Sequence, residues 1–232
     1  MPKITHPLLP LLVITLITLA HAQDKPKDAA APKDKEKDKY AWQPLFDGKT
    51  LKGWKESGYG GGSEPEIKNG ELHLALGEGV NGVTLDAEQP PYKVNYEISL
   101  EAKKLTGNDF FCGLTFPVKE SHATFIVGGW GGGIVGISSI DHRDASDNET
   151  TKARNFNKNT WYEIRVRVTD AKIQAWIDGD QMADVDTTGK VIDTRIDIEK
   201  SKPLGLSTWQ TASALRNIRI RPLRPEELDK KE

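Results

Sequence analysis

The sequence has little of what marks a specialised class. One cysteine in 232 residues excludes an internal disulfide framework. Charge of one sign is missing as well: 32 Lys and Arg stand against 34 Asp and Glu, for a formal net charge of −2. Without a positive field to neutralise phosphates, a dedicated nucleic-acid binder is disfavoured. No apolar run reaches the ~20 residues that span a bilayer. No stretch of helical length carries an apolar stripe with a 3.6-residue period, which leaves crossover helices and a parallel sheet unsupported. Hydrophobic residues make up only 37%, but adding the 21 glycines brings the apolar share to about 46%, the usual range for a globular protein. The length suits one domain with tails.

The ends read differently from the middle. Lys3, the apolar stretch Leu8 to Ala20 and the small-x-small triplet Ala20-His21-Ala22 have the form of a cleaved export signal over residues 1–22. The mature chain is then expected to be exported, periplasmic or extracellular, with no integral membrane segment left after cleavage. Residues 23–39 are rich in Lys and Asp with no large apolar side chain to bury, so they cannot offset their chain entropy and read as a disordered linker. Arg224 to Glu232 is a charged tail with room for one helical turn after Pro225. The domain expected at 40–223 holds 22 Lys and Arg against 25 Asp and Glu, mildly acidic and suited to an uncharged ligand.

Inside that domain the dominant period is two, the mark of half-buried strands. Glu71 to Leu76, Tyr92 to Glu101 and Thr160 to Val168 alternate polar with apolar. Lys172 to Ile177 continues the pattern, and Asp178-Gly179 supplies a tight-turn pair before Gln181 to Val185 returns. Further runs at 82–87, 109–116, 123–127, 134–140, 204–209 and 214–220 bring the strands to about eleven or more. The fold class is therefore all-β: a sandwich or jelly roll of two antiparallel sheets, with a barrel as runner-up. In such a fold a ligand can lie in the hollow of one sheet.

Several motifs fail on context. Gly131 to Gly136 satisfies GxGxxG, but it separates two strand-like runs instead of opening a helix, so no dinucleotide site is assigned. Gly48-Lys49-Thr50 lacks the glycine that a phosphate loop needs at position 43, where Gln stands. The run Gly128 to Gly133 instead marks a hairpin loop from which Trp130 projects, as a sugar-stacking platform or as a hydrophobic plug. The densest polar stretch, Asp141 to Thr150, has the oxygen-rich composition that calcium favours but the spacing of no calcium loop, so it also reads as a solvated turn. No metal or cofactor is assigned. His142 and Glu149, which flank that loop, are the acid–base candidates. Glu97 and Glu101 share one strand face with Cα atoms roughly 13 to 14 Å apart, too far for the usual pair of glycosidase carboxylates. Glu97 to Glu101 resembles the ExDxE strand of sandwich-fold glucanases with Ser99 in place of the central acid, and reads as a solvent-facing charged strand. Cys112, among Phe110, Phe111 and Leu114, reads as a buried thiol.

The opening Leu45-Phe46-Asp47-Gly48-Lys49-Thr50-Leu51-Lys52-Gly53-Trp54, the turn Asn69-Gly70-Glu71-Leu72, and the closing Pro203-Leu204-Gly205-Leu206 with Leu215-Arg216-Asn217-Ile218-Arg219-Ile220 resemble the 3-keto-disaccharide hydrolase domain family over about 42–223. The resemblance implies a concanavalin A-like jelly roll acting on glycosides oxidised at C3, and a carbohydrate ligand. Typical members carry Asn-Ser-Gly-Ile and Tyr-Glu-x-Gln segments where this chain has Phe111-Cys112-Gly113-Leu114 and Thr124 to Trp130. A late Gln-x-His-Gly is replaced by Ser207-Thr208-Trp209-Gln210. These departures resemble a divergent, planctomycete-type subgroup. The expected ligand contacts are Trp130 and Trp209 stacking on sugar rings, with Asp141, Asn148 and Arg154 as polar partners. A non-catalytic carbohydrate-binding module of the same fold is the alternative.

Overall fold

The computed structural model describes residues 38–87 and 91–228. The signal expected at 1–22, nearly all of the linker expected at 23–39 and the end of the tail lie outside the described residues. Five strands, β1 (Gln43–Pro44), β2 (Trp54–Glu56), β3 (Glu66–Lys68), β4 (Glu71–Leu74) and β5 (Val80–Leu85), precede the long β6 (Tyr96–Gly107). Then come β7 (Cys112–Val118), β8 (Ser121–Gly129), β9 (Ile134–Ser138), β10 (Lys152–Ala153), β11 (Trp161–Val168), β12 (Lys172–Ile177) and β13 (Asp180–Asp186). A 3-10 helix at Ile196–Ser201 leads into β14 (Gly205–Trp209) and β15 (Thr211–Pro222), and one helical turn, α1 (Pro225–Leu228), follows.

The strands form two antiparallel sheets. The first runs β13-β12-β11-β6-β15-β4-β3 with β1 added on β15, and the second runs β10-β9-β8-β7-β14-β5-β2. Packed face to face they make a concanavalin A-like jelly-roll sandwich, as the alternation and the resemblance implied. Each strand's alternation sets its faces. In β6, Tyr96, Ile98, Leu100 and Ala102 are fully buried between the sheets, and Glu97, Ser99, Glu101 and Lys103 take the outer face. Leu114 and Phe116 of β7 and Phe125 and Val127 of β8 meet them from the second sheet, each burial contributing about 1.5–3 kcal/mol. Cys112 lies in this core, and burial pushes its thiol up to about 12. The β12–β13 turn uses Asp178 and Gly179 at φ +53° and +86°, the doubly left-handed pair that matches strand twist.

The outer face of the second sheet is built of small residues for a different reason. The loop 141–150 and the 3-10 helix lie directly on it. A Cβ on Gly136 would stand 2.9 Å from the Ala145 carbonyl, and one on Gly205 would stand 2.4 Å from the Ser201 carbonyl, so neither position tolerates a side chain. Thr84 of β5 donates its hydroxyl to the Lys200 carbonyl at 2.7 Å, and Ser138 of β9 accepts the Ala145 N–H at 3.2 Å. The covering segments are thereby hydrogen-bonded to the sheet beneath them, and a cleft remains at the end near the β8–β9 hairpin.

Candidate functional site

The cleft, about 250 Å³ in volume, has an apolar floor and a polar rim. Phe110, Ile126 and Ile198 are buried beneath it in a small cluster with Val80 and Ala145. Trp209 stands at one side, fixed at the end of β14 by its backbone N–H, which donates to the Phe110 carbonyl at 3.1 Å. Trp130, 42% exposed, stands at the tip of the β8–β9 hairpin. Arg195 and Asp197, at the start of the 3-10 helix, and Asp109, just before β7, supply the charged groups.

Trp130 is held in an unfavourable backbone conformation. Its φ of +48° is in the left-handed region, at a cost of about 1–2 kcal/mol for a bulky residue. The glycines around it absorb the rest of the turn: Gly128, Gly131 and Gly132 have φ of +80°, +84° and +97°. Asp109 braces the loop. Its carboxylate accepts the Phe110 N–H at 2.7 Å and the Gly131 N–H at 3.4 Å, while its own N–H donates to Thr211 Oγ1 at 2.9 Å. Strain of this kind, kept where an aromatic side chain projects beside a cleft, is characteristic of binding sites.

Arg195 is the wall between this cleft and a shallower depression of about 340 Å³ lined by Ser139, His142, Asp144, Asp193 and Thr194. Its guanidinium donates to Asp197 at 3.0 and 3.3 Å and pairs with Asp144 on the other side. The Asp197 hydrogen bond leads in raising the arginine's pKa, with the charges of Asp197 and Asp144 adding to it. Within the cleft Asp109 has no cation partner among the described residues. The arrangement offers a ligand one acceptor carboxylate, one guanidinium–carboxylate pair and two indoles.

Of the residues singled out in the sequence, Trp130 and Trp209 meet in the cleft. His142 lines the depression beyond Arg195. The others are engaged within the scaffold, at the 141–150 loop or, for Arg154, at the β12–β13 turn. Asp141 accepts the Val191 N–H at 2.8 Å. Asn148 donates to the carbonyls of Ile137 and Asp144, both at 2.8 Å, and accepts from the N–H and hydroxyl of Thr150. Glu149 is paired with Lys190, whose hydrogen bond holds its carboxyl below the usual range. Arg154 binds Asp178 at 2.7 Å and Asp180 at 2.9 Å, and its guanidinium lies over Phe156 and Tyr162. Sequence reading missed Asp109, Phe110, Ile126, Arg195, Asp197 and Ile198. Asp109 and Phe110 were absorbed into a strand-like run, and nothing local marks Arg195 as facing Trp130.

Among the described residues no three His, Cys, Asp or Glu side chains gather as a metal site. No described helix is long and apolar enough to cross a membrane.

Among solved structures, the apo Crh5 transglycosylase shares the fold with a TM-score of 0.53 at 10% identity, over 80% of this chain and 85% of that one. The carbohydrate-binding module CBM66 from Bacillus subtilis is similar with a TM-score of 0.46 at 13% identity, over 73% and 95%. Domain 4 of AbnA, a GH43 extracellular arabinanase from Geobacillus stearothermophilus in complex with arabinotriose, has a TM-score of 0.46 at 13% identity, over 75% and 85%. At such identities the likeness is one of fold. No curated protein sequence matches the chain. The model of the 3-keto-alpha-glucoside-1,2-lyase-like domain matches residues 41–221, nearly the whole sandwich, and the chain belongs to that family.

Proposed function

We propose that this chain is an exported carbohydrate-active domain that binds a saccharide in the Trp130–Trp209 cleft and cleaves glycosides carrying a ketone at C3. The observation that carries the reading is the convergence of the two indoles, one from the β8–β9 turn and one from the end of β14, on one small cleft with Asp109 and the Arg195–Asp197 pair. Indole faces stack on the apolar faces of sugar rings, and the carboxylates and guanidinium take the hydroxyls. A ketone at C3 acidifies the C2–H, and Asp109, a carboxylate without a cation partner among the described residues, is our candidate to take that proton: the C2–H electron pair forms a C1=C2 double bond, the C1–O bond breaks with the departing oxygen protonated by water, and water then adds to the double bond. The test is to incubate the purified domain with 3-keto-glycosides and measure the released sugar. Turnover that falls at least about tenfold in Asp109→Asn supports the assignment; turnover unchanged by it removes Asp109 from the chemistry.

One observation favours a second reading, a non-catalytic binding module. The loop 141–150 and the 3-10 helix lie on the second sheet's outer face at Gly136 and Gly205, and the cleft beside them is about 250 Å³, small for an enzyme site. No turnover on 3-keto-glycosides, together with glycan affinity that depends on Trp130 and Trp209, would favour that reading.

A further inference from the structure

The outer face of the first sheet holds a second cavity, about 300 Å³, that the proposed function does not use. Strand register builds it. On β6, Glu97 stands opposite Arg167 and Arg221, Ser99 opposite Arg165 and Arg219, and Glu101 opposite Glu163 and Arg216. A bulge in β15, with Asn217 at φ +54°, sets Asn217 and Ile218 against Leu100 alone and opens the cavity between these rows. Four of the five arginines have carboxylates: Arg165, Arg167 and Arg221 share Glu97, and Arg216 takes Glu101. Arg219 has no ion pair among the described residues. Its guanidinium lies over Trp42, 4.7 Å from the ring centroid, and its Nε is buried with no acceptor among the described residues. Ser99, the residue in register with both Arg165 and Arg219, is where an acid would neutralise them.

We propose that this cavity binds a uronic acid unit of a glycan, whose carboxylate takes the Arg219 guanidinium beside Trp42. The unmet demand inside it is for an acceptor. Both oxygens of Glu101 are already used, one by Arg216 and the other by the Asn217 amide. The other lining carboxylate, Glu163, is exposed, so its charge is solvated at the mouth. Arg219 is half-buried and has no ion pair among the described residues, and a guanidinium so placed is matched best by a carboxylate, which it binds as a two-pronged fork, whereas a neutral hydroxyl leaves the charge uncompensated. The carboxylate follows from Arg219; that a sugar carries it rests on the carbohydrate reading above.

The probes are glucuronate and a galacturonate trisaccharide, titrated calorimetrically into the full chain at pH 7 and low salt, with glucose and acetate as controls. The uronates should bind, should bind within about twofold as well in a Trp130→Ala/Trp209→Ala variant, and should weaken at least about tenfold in Arg219→Gln. Ser99→Asp is the variant that does not depend on losing a contact: its carboxylate should occupy the two guanidiniums, abolish uronate binding and leave the melting temperature no lower. Glu163→Gln should tighten binding by about two- to fivefold, because it removes like charge at the mouth. Equal binding of glucose, acetate as good a ligand as glucuronate, absence of uronate binding, or uronate binding untouched by Ser99→Asp would each overturn the proposal. Failure of the cleft reading would show separately, as neutral-glycan affinity indifferent to Trp130 and Trp209.

Discussion

Removing the Glu97 carboxylate should destabilise the fold more than removing any exposed ion pair. Glu97 is 1% exposed on the outer face of the first sheet, with Arg165 Nη1 at 2.6 Å, Arg221 hydrogen-bonded to its other oxygen and Arg167 Nη2 at 3.7 Å. Two of these are hydrogen bonds between charged groups, at about 1.5–3 kcal/mol each. Their loss leaves Arg165 and Arg167 without a counter-charge, while Arg221 keeps only its pair with Glu227, and breaking a buried pair in this way costs about 3–5 kcal/mol. We expect Glu97→Ala to lose about 3–5 kcal/mol, which for a domain of this size lowers the melting temperature by roughly 6–20 °C. Glu97→Gln, which keeps one acceptor oxygen, should lose roughly half as much. The Lys55–Asp86 pair is the control: its side chains are 60% and 62% exposed, so Lys55→Ala should cost about 0–1 kcal/mol. Urea denaturation followed by tryptophan fluorescence measures all three. A Glu97→Ala loss no larger than that of Lys55→Ala would refute the reasoning.

Two further outcomes follow from single groups. Cys112 is fully buried with its thiol pushed up to about 12, so a thiol reagent at pH 8 should label the native chain only as fast as it unfolds; rapid labelling would place the residue outside the core. Glu227 is held at about 2, first by hydrogen bonds from Arg221 and then by the Arg224 N–H, against an ordinary value of 4.5. A carboxyl depressed in the fold contributes stability that is complete above its unfolded pKa and is lost as pH falls toward the folded one. The melting temperature should therefore fall between pH 4.5 and about 2, and less steeply in Glu227→Gln; identical slopes would contradict the assignment.

The long strands were legible because alternation is a strong signal over many residues. β6, β11 and β12 could be read with their inward faces, and Asp178-Gly179 announced the turn that joins β12 to β13. β1, β2, β3 and β10 were not, since two or three residues carry no period. The 3-10 helix was missed for a related reason: Ile196 and Ile198 alternate like a strand, yet Ile198 is buried under the cleft and Ile196 is 90% exposed. Trp130 stood out through the glycines around it. Arg195 and Asp197 did not, because only long-range packing places them across the cleft from the hairpin. Asn148 has the composition of a ligand-binding residue, but its amide is consumed within its own loop, and whether a polar side chain faces a ligand or its own backbone is not encoded locally. Nor does anything local show why Gly136 and Gly205 are glycine, since what requires them is Ala145 and Ser201 pressed against the sheet.

The claim that a saccharide occupies the Trp130–Trp209 cleft has a direct test in the indole N–H resonances. The chain has six tryptophans, Trp42, Trp54, Trp130, Trp161, Trp176 and Trp209, and each gives one such signal. On titration of the nitrogen-15-labelled protein with a neutral 3-keto-disaccharide, the signals of Trp130 and Trp209 should move together along one saturation curve while the other four stay in place. Saturable shifts confined to Trp42, Trp161 or Trp176, or none in Trp130 and Trp209 at saturating ligand, would contradict the account.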